Sequence, residues 1–550
     1  MVRSAILLAL LVSASPAAAV PAGFKAQADL LLADAYAAGG PGAAVIVTEN
    51  GKTVYAAGRG LADVERSIPI TPATHFRLGS ITKQFTAAAI VRLAEQGKLS
   101  LDDPLSKFLP AYPAPGASAT VRQLLNHTGG MMSYTNLPGW MVEAKTGKAY
   151  STEQLIAEFK DAPAPFKPGE KWDYNNSGYV LLGAILEKVT GKSWDQAVGD
   201  LVTAPLKLAT IRTGIDADGT PGMAVGYTDK DGKAAIAQKI HMSVPHGAGA
   251  LVGTVSDLAT WGNALHGGKV VAPASYTAMT GTTTTADGNT APYGFGLQRG
   301  DVRGRKQIGH GGGIFGFSTD SIYLPEEKIF VAVFANSDSP QSSPSTVARR
   351  LAALAVGEAY PVFANVAVDP KAIEALTGTY AFADTERAFF HRDGKLFAQR
   401  KDRPALEVFA AGNNKFFYGL DNLTWFEMTR DAAGKPQFAM HQEGAVVAQI
   451  GTWKGPPPVA APAVVVPAAT LASYAGSYTS MAGIFVFTQV GDGLSVKLGE
   501  QPAFPMKAVS ATEFEIAQVG AKIRFNAKDG NIGSITLFQG GQELEGIRSK

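Results

Sequence analysis

The C-terminal third of this 550-residue chain is written twice. Leu376-Thr377-Gly378-Thr379-Tyr380 returns as Tyr474-Ala475-Gly476-Ser477-Tyr478, Asp393-Gly394 as Asp492-Gly493, Pro404-Ala405 as Pro502-Ala503, and Lys415-Phe416 as Glu513-Phe514. The spacing stays near 98 residues throughout. Similarity that keeps one period this well means two copies of one folded unit. Each copy consists of short alternating segments broken by turn signals, without helical periodicity, so each is an all-β unit of about 80–90 residues. Small closed barrels suit such units, because closure leaves no unpaired strand edge. Between the copies, Gly455 to Thr470 is rich in Pro, Ala and Val and reads as a stiff linker. The expected partition is a first barrel over 366–454, a linker over 455–470 and a second barrel over 471–550.

The preceding residues, 20–360, have a mixed texture. Ala43 to Thr48 and Val54 to Gly58 read as strands around the turn Asn50-Gly51, a strong hairpin signal. Ser80 to Gln96 carries a helical apolar face and stops at Gly97. Further helices are expected from Tyr179 to Gly191, over Ser256 to Leu265 and over Ser345 to Val356, with a strand at Lys328 to Asn336. Strands at both ends and helices between them predict an α/β domain whose sheet draws on both termini.

Residues 1–19 read as a leader. Arg3 precedes the apolar run Ala5 to Val12, and Ala17-Ala18-Ala19 offers an A-x-A cleavage site. The run is well short of the ~20 residues that span a membrane. A periplasmic or secreted bacterial protein is expected, with no integral membrane segment after cleavage. Composition removes other classes. The 49 basic and 47 acidic residues form no basic stripe, so no nucleic-acid partner is expected. The absence of cysteine excludes disulfides, thiolate metal sites and thiol nucleophiles. His241, His246, His391 and His441 lack the spacing of a metal site, and no cofactor or metal is expected.

Three motifs carry chemistry. In Ser80-Ile81-Thr82-Lys83 the helical i, i+3 spacing brings the lysine amine to the serine hydroxyl. A serine needs an adjacent base, and a lysine serves if burial or a nearby cation depresses its pKa. At a helix start, unpaired N–H groups also favour an oxyanion. The second motif, Tyr174-Asn175-Asn176, stands before a helix. A phenol beside an ammonium can drop its pKa and share the base role, and the Asn176 amide can hold both a lysine and a substrate carbonyl. The third, His310-Gly311-Gly312-Gly313, precedes a strand, and its glycines let a substrate approach backbone donors. Look-alikes are set aside. Tyr134-Thr135-Asn136 lies in a loop with no helix after it, which leaves Tyr134 as a pocket wall. His266-Gly267-Gly268 follows a helix as a stop, and Lys145-Thr146-Gly147 leads into no strand. His127 reads as a residue that orders its loop by hydrogen bonding. No G-x-S-x-G elbow is present, which argues against an α/β-hydrolase.

Taken together, Phe76 to Lys83, Leu124 to Gly130, Tyr174 to Tyr179 and Gly309 to Gly313 resemble the serine beta-lactamase-related superfamily. The nearer likeness is to its class C-like branch of peptidases and esterases similar to D-Ala-D-Ala carboxypeptidase, over about residues 25–357. With two trailing β-units the chain resembles D-aminopeptidase-type members and linear-microcystin peptidases. The resemblance implies a beta-lactamase/transpeptidase-like α/β domain, an antiparallel sheet with flanking helices, followed by two lipocalin-like barrels. It implies Ser80 as acylated nucleophile, Lys83 and Tyr174 as the proton-handling pair, and Asn176, His310 and Gly312 as substrate-binding residues. The backbone N–H groups of Ser80 and Gly313 become the oxyanion hole, worth ~10²–10³ in rate per donor. His310 stands where penicillin-recognising members carry a lysine, so binding of the penicillin carboxylate should weaken. The expected function is a serine hydrolase that cleaves amide bonds of small peptides through an acyl-enzyme on Ser80. Peptides are preferred to esters because the trailing domains narrow access to the site in look-alike peptidases. An esterase, a beta-lactamase, a penicillin-binding or peptide-sensing protein without turnover, and an oligomeric state all stay open.

Overall fold

The computed structural model describes residues 20–549 except 393, 420, 458–463, 481–482, 500–502, 517–518, 529–530 and 540–541. The expected leader, the middle of the expected linker, and Asp393 and Pro502 of the repeat lie outside the described residues.

Asn50 and Gly51 take φ of 50° and 77°, the primed turn whose twist matches that of its strands. β1 (Ala43–Glu49) therefore folds back as β2 (Lys52–Arg59). The rest of the sheet comes from the far end of the body: β3 (Gln298–Val302), β4 (Arg305–Ile314), β5 (Phe317–Leu324) and β6 (Ile329–Ala335). All pairings are antiparallel, in the order β3-β4-β5-β6-β1-β2. The sheet thus joins both ends of the domain, as expected.

Helices cover both faces. On the front, α2 (Thr82–Glu95), α3 (Asn176–Thr190) and α4 (Val255–His266) belong to one core with Ala44, Ile46, Ala332 and Phe334. On the back, α1 (Phe24–Ala35) and α5 (Pro344–Ala355) bury Val45, Val47, Val331 and Val333. Two helix starts differ from expectation. Ser80 lies in a 3-10 turn, Gly79–Ile81, and the α-helix begins at Thr82. α3 starts at Asn176 rather than near Tyr179, because the Asn175 side chain caps it by accepting the Gly178 N–H at 2.9 Å.

Each repeat closes into an eight-stranded antiparallel barrel, from Gly378–Ala381 to Gln449–Gly455 and from Gly476–Ser480 to Gln542–Arg548. The repeat extends to detail: Tyr380 Oη donates to the Leu376 carbonyl at 2.5 Å, and Tyr478 Oη to the Tyr474 carbonyl at 3.2 Å. One expectation is corrected. The region beyond Leu376 is not free of helix, since Ala468–Tyr474 forms a short helix that starts inside the expected linker; a similar one, Pro370–Glu374, precedes the first barrel. The first barrel docks on the back layer of the body. Arg349 of α5 pairs with Glu443, Arg303 Nη1 donates to the Gly444 carbonyl at 2.9 Å, and the Ser343 N–H to Asp421 at 2.7 Å. Among the described residues no helix is long and apolar enough to cross a membrane.

Candidate active site

The turn that holds Ser80 lies against the glycines of β4. Gly79 takes φ +52°, and a Cβ there would stand 3.0 Å from the Gly313 nitrogen; a Cβ on Gly312 would stand 2.1 Å from the Leu78 carbonyl oxygen. No side chain fits at either place, so the contact requires glycine. β3 pairs with β4 only as far as Gly309, which leaves His310 to Ile314 paired with β5 on one side and flanked by the Ser80 turn.

Lys83, the second residue of α2, is fully buried. Its Nζ lies 2.8 Å from Asn176 Oδ1, 2.9 Å from the Ala248 carbonyl oxygen and 3.1 Å from Ser80 Oγ. Burial is the cause that pulls its pKa well below the ordinary lysine value. A neutral amine has two N–H donors and one lone pair. The amide oxygen of Asn176 and the carbonyl of Ala248 can only accept, so they take both donors. The third position on Nζ faces Ser80 Oγ, to which it donates at 3.1 Å; once the amine gives up that proton, the lone pair faces the hydroxyl. Asn176 is itself fixed, because its Nδ2 donates to Thr135 Oγ1 at 3.1 Å.

Tyr174 hydrogen-bonds Ser80, and its ring centroid lies 4.8 Å from Lys83 Nζ. Burial pushes its phenol above the ordinary tyrosine range. The drop expected from a neighbouring ammonium does not occur, because burial outweighs the other influences on the phenol. Tyr174 is thus a protonated phenol at neutral pH. Behind it His127, at φ 64°, accepts the Asn175 N–H on Nδ1 at 3.1 Å and packs its ring 4.4 Å from that of Tyr174. This matches its expected loop-ordering role.

His310 and Gly312, expected to bind substrate, do not line the cavity that holds Ser80. His310 is buried, and Gly312 lies against the Leu78 carbonyl. His310 is 5% exposed; its Nε2 lies 2.8 Å from Tyr293 Oη and its Nδ1 2.5 Å from the Gly311 carbonyl. Burial foremost, then Lys83, takes its pKa down to about 4, so the ring is neutral at pH 7. Nδ1 donates to the carbonyl, which leaves Nε2 to accept from Tyr293. Both ring nitrogens are thus engaged by protein partners. Gly312 is pressed against Leu78 and serves packing.

Ser80, Asn176 and Gly313 line one cavity of about 440 Å³. Its other walls include Tyr134, Thr135, Met141, Ile240, Phe315 and Asp338. Sequence reading anticipated only Tyr134 among these. Thr135 belongs to the tripeptide dismissed as a false motif, yet it holds Asn176. Among the described residues the lining comes wholly from the body, so narrowing of the site by the barrels, expected from look-alike peptidases, finds no support here. The other look-alikes stand apart: Lys145 pairs with Glu158 at 3.0 Å, and the His266 ring stacks on Tyr323. Among the described residues no group of three or more His, Cys, Asp or Glu is placed to hold a metal.

Comparison with known proteins follows this geometry. The family described as beta-lactamase matches residues 28–356. Penicillin-binding protein 4* of Bacillus subtilis (strain 168) is 25% identical over 426 residues, covering 73% of this chain and 93% of its own. The D-aminopeptidase of Gluconobacter oxydans (strain 621H) is 29% identical over 330 residues, covering 58% of this chain and 60% of its own. Among solved structures, a D-stereospecific amidohydrolase from Streptomyces sp. superposes with a TM-score of 0.51 at 28% identity, over 60% of this chain and 98% of its own. The serine turn, the buried lysine and the glycine strand occupy the matched segment, and the chain belongs to the beta-lactamase family.

Proposed function

We propose that this protein is a serine hydrolase that cleaves amide bonds of small peptides through an acyl-enzyme on Ser80. The observation that carries the reading is the setting of Lys83: a fully buried amine whose pKa burial pulls well down, held by Asn176 Oδ1 and the Ala248 carbonyl at 3.1 Å from Ser80 Oγ. On attack the Ser80 proton passes to Lys83 Nζ while Oγ bonds the acyl carbon. Charge then develops on the carbonyl oxygen, and we assign its stabilisation to the N–H groups of Ser80 and Gly313, two residues of the cavity wall. The protonated Tyr174, bonded to Ser80, hands a proton to the leaving nitrogen and is replenished from the Lys83 ammonium. Water then hydrolyses the ester, with Lys83 again the base. No step draws on His310. The names of the D-aminopeptidase and the D-stereospecific amidohydrolase support amide substrates. If the first 19 residues act as a leader, this chemistry takes place in the periplasm or outside the cell.

Labelling with a fluorophosphonate tests the assignment. The wild type should be labelled at Ser80 and should show an acyl burst with an activated ester. An unlabelled wild type, or a Ser80→Ala variant with undiminished turnover, overturns it.

A further inference from the structure

The cavity that holds Ser80 has one formally charged wall. Its lining is otherwise glycine, alanine, proline, hydroxyl or amide groups, Tyr134, and the apolar side chains of Met141, Ile240, Ile314 and Phe315. The exception is Asp338, three residues beyond β6 and exposed. The carboxylate is held in place: Oδ2 accepts the Gly316 N–H at 2.8 Å, in the turn between β4 and β5, and Oδ1 accepts the Ser339 hydroxyl at 3.1 Å. Its own N–H donates to the Tyr227 carbonyl at 3.0 Å. Among the described residues no lysine or arginine pairs with it. The two nearby groups that could have supplied positive charge, Lys83 and His310, are buried and taken up by internal partners.

We infer that Asp338 is the counter-ion for a free ammonium on the substrate, so that the preferred acyl group carries an unblocked amine and an apolar side chain. The inference rests on the hydrolase reading and adds the substrate class to it. A carboxylate at the rim of an apolar cavity with no neighbouring cation attracts ammonium groups and repels carboxylates. Each Asp338 oxygen has one protein donor and retains lone-pair capacity for another. A volume of about 440 Å³ suits a small acyl group. The same charge disfavours substrates recognised by a carboxylate.

Matched 4-nitrophenyl esters of alanine, one with a free amine and one N-acetylated, test the inference on the full-length protein. The wild type should favour the free amine in kcat/KM by about tenfold or more, mainly through KM, and added salt should erode the preference. Asp338→Asn retains an acceptor for the Gly316 N–H, and it should bring the ratio of the two esters to near unity. Asp338→Lys should shift preference to the N-succinyl ester. No preference in the wild type, an undiminished preference in Asp338→Asn, or an equal fall for both esters overturns the inference and leaves Asp338 a turn-holding residue. Failure to hydrolyse either ester, with Ser80 unlabelled by fluorophosphonate, overturns the hydrolase reading as well.

Discussion

The two faces of the central sheet are built differently. Behind it, α1 and α5 cover β1 and β6 with Leu32, Val347, Leu351, Ala352 and the valines of the strands, a mainly apolar layer whose buried polar residues include Asp320 and Thr346. In front, the first turns of α2 bury Thr82, Lys83, Gln84 and Thr86. Each has its partner: Thr82 Oγ1 accepts the Leu251 N–H at 3.1 Å, Gln84 Oε1 accepts from Trp261 at 2.9 Å, and Thr86 donates to the Gly247 carbonyl at 2.8 Å. The back is shaped by packing volume, the front by directed polar contacts. Stability and chemistry are therefore separable. The front accepts the cost of desolvating an amine within its own large apolar core, and the back adds a second apolar layer without such a cost at its centre.

The contrast can be broken most sharply at Lys83. Lys83→Met should cut the acylation rate by about 10³-fold while leaving the melting temperature equal or higher, since a buried amine is replaced by an apolar chain of similar length. Burst kinetics and a thermal melt on the same sample decide it, and a large loss of stability would refute the separation. The converse lies behind the sheet, where Leu351→Ala should cost about 2–5 kcal/mol in denaturant with kcat/KM of the folded fraction within about twofold.

Acid sharpens the comparison further. The folded pKa of His310, about 4, lies below the ordinary histidine value of 6.5, so the unfolded chain binds more protons in that window. The protein should lose about 3 kcal/mol from this group as pH falls from 6.5 to 4. Asp320, on the back, is raised by burial from 3.8 to about 6, so it acts with opposite sign and adds stability as pH falls through 6. His310→Gln should make the acid loss shallower and Asp320→Asn steeper, as denaturation midpoints across pH 4–7 would record. Smallest is Tyr293→Phe, which removes the donor to His310 Nε2. About 1 kcal/mol is expected from denaturant titration.

Much of this was legible in the residues. The i, i+3 spacing of Ser80 and Lys83, the Tyr174-Asn175-Asn176 motif and the glycines of β4 named the centre, and the hairpin turn and the 98-residue repeat mapped the scaffold. The second acceptor on Lys83 was hidden, because it is the main-chain carbonyl of Ala248, which any residue could supply. Thr135 and Asp338 reach the cavity only through tertiary folding, and no local pattern marks them. The burial of His310 and the packing of Leu78 on Gly312 are likewise tertiary, and the glycine motif alone does not show them. The early start of α3 was signalled by Asn175 two residues before Ser177, a cap outweighed by the apolar periodicity from Tyr179. The proline that opens the helix at Pro370–Glu374 is a similar signal within a loop-like composition.

The saturation of Lys83 by two acceptors bears on how its neighbours in sequence space should be ranked. Arginine keeps the charge and is commonly scored as the mildest exchange for lysine, yet its guanidinium stays protonated and offers no electron pair to a hydroxyl. By that logic a family member with arginine here would be a silent relative, while one with a shorter but uncharged basic side chain could still turn over.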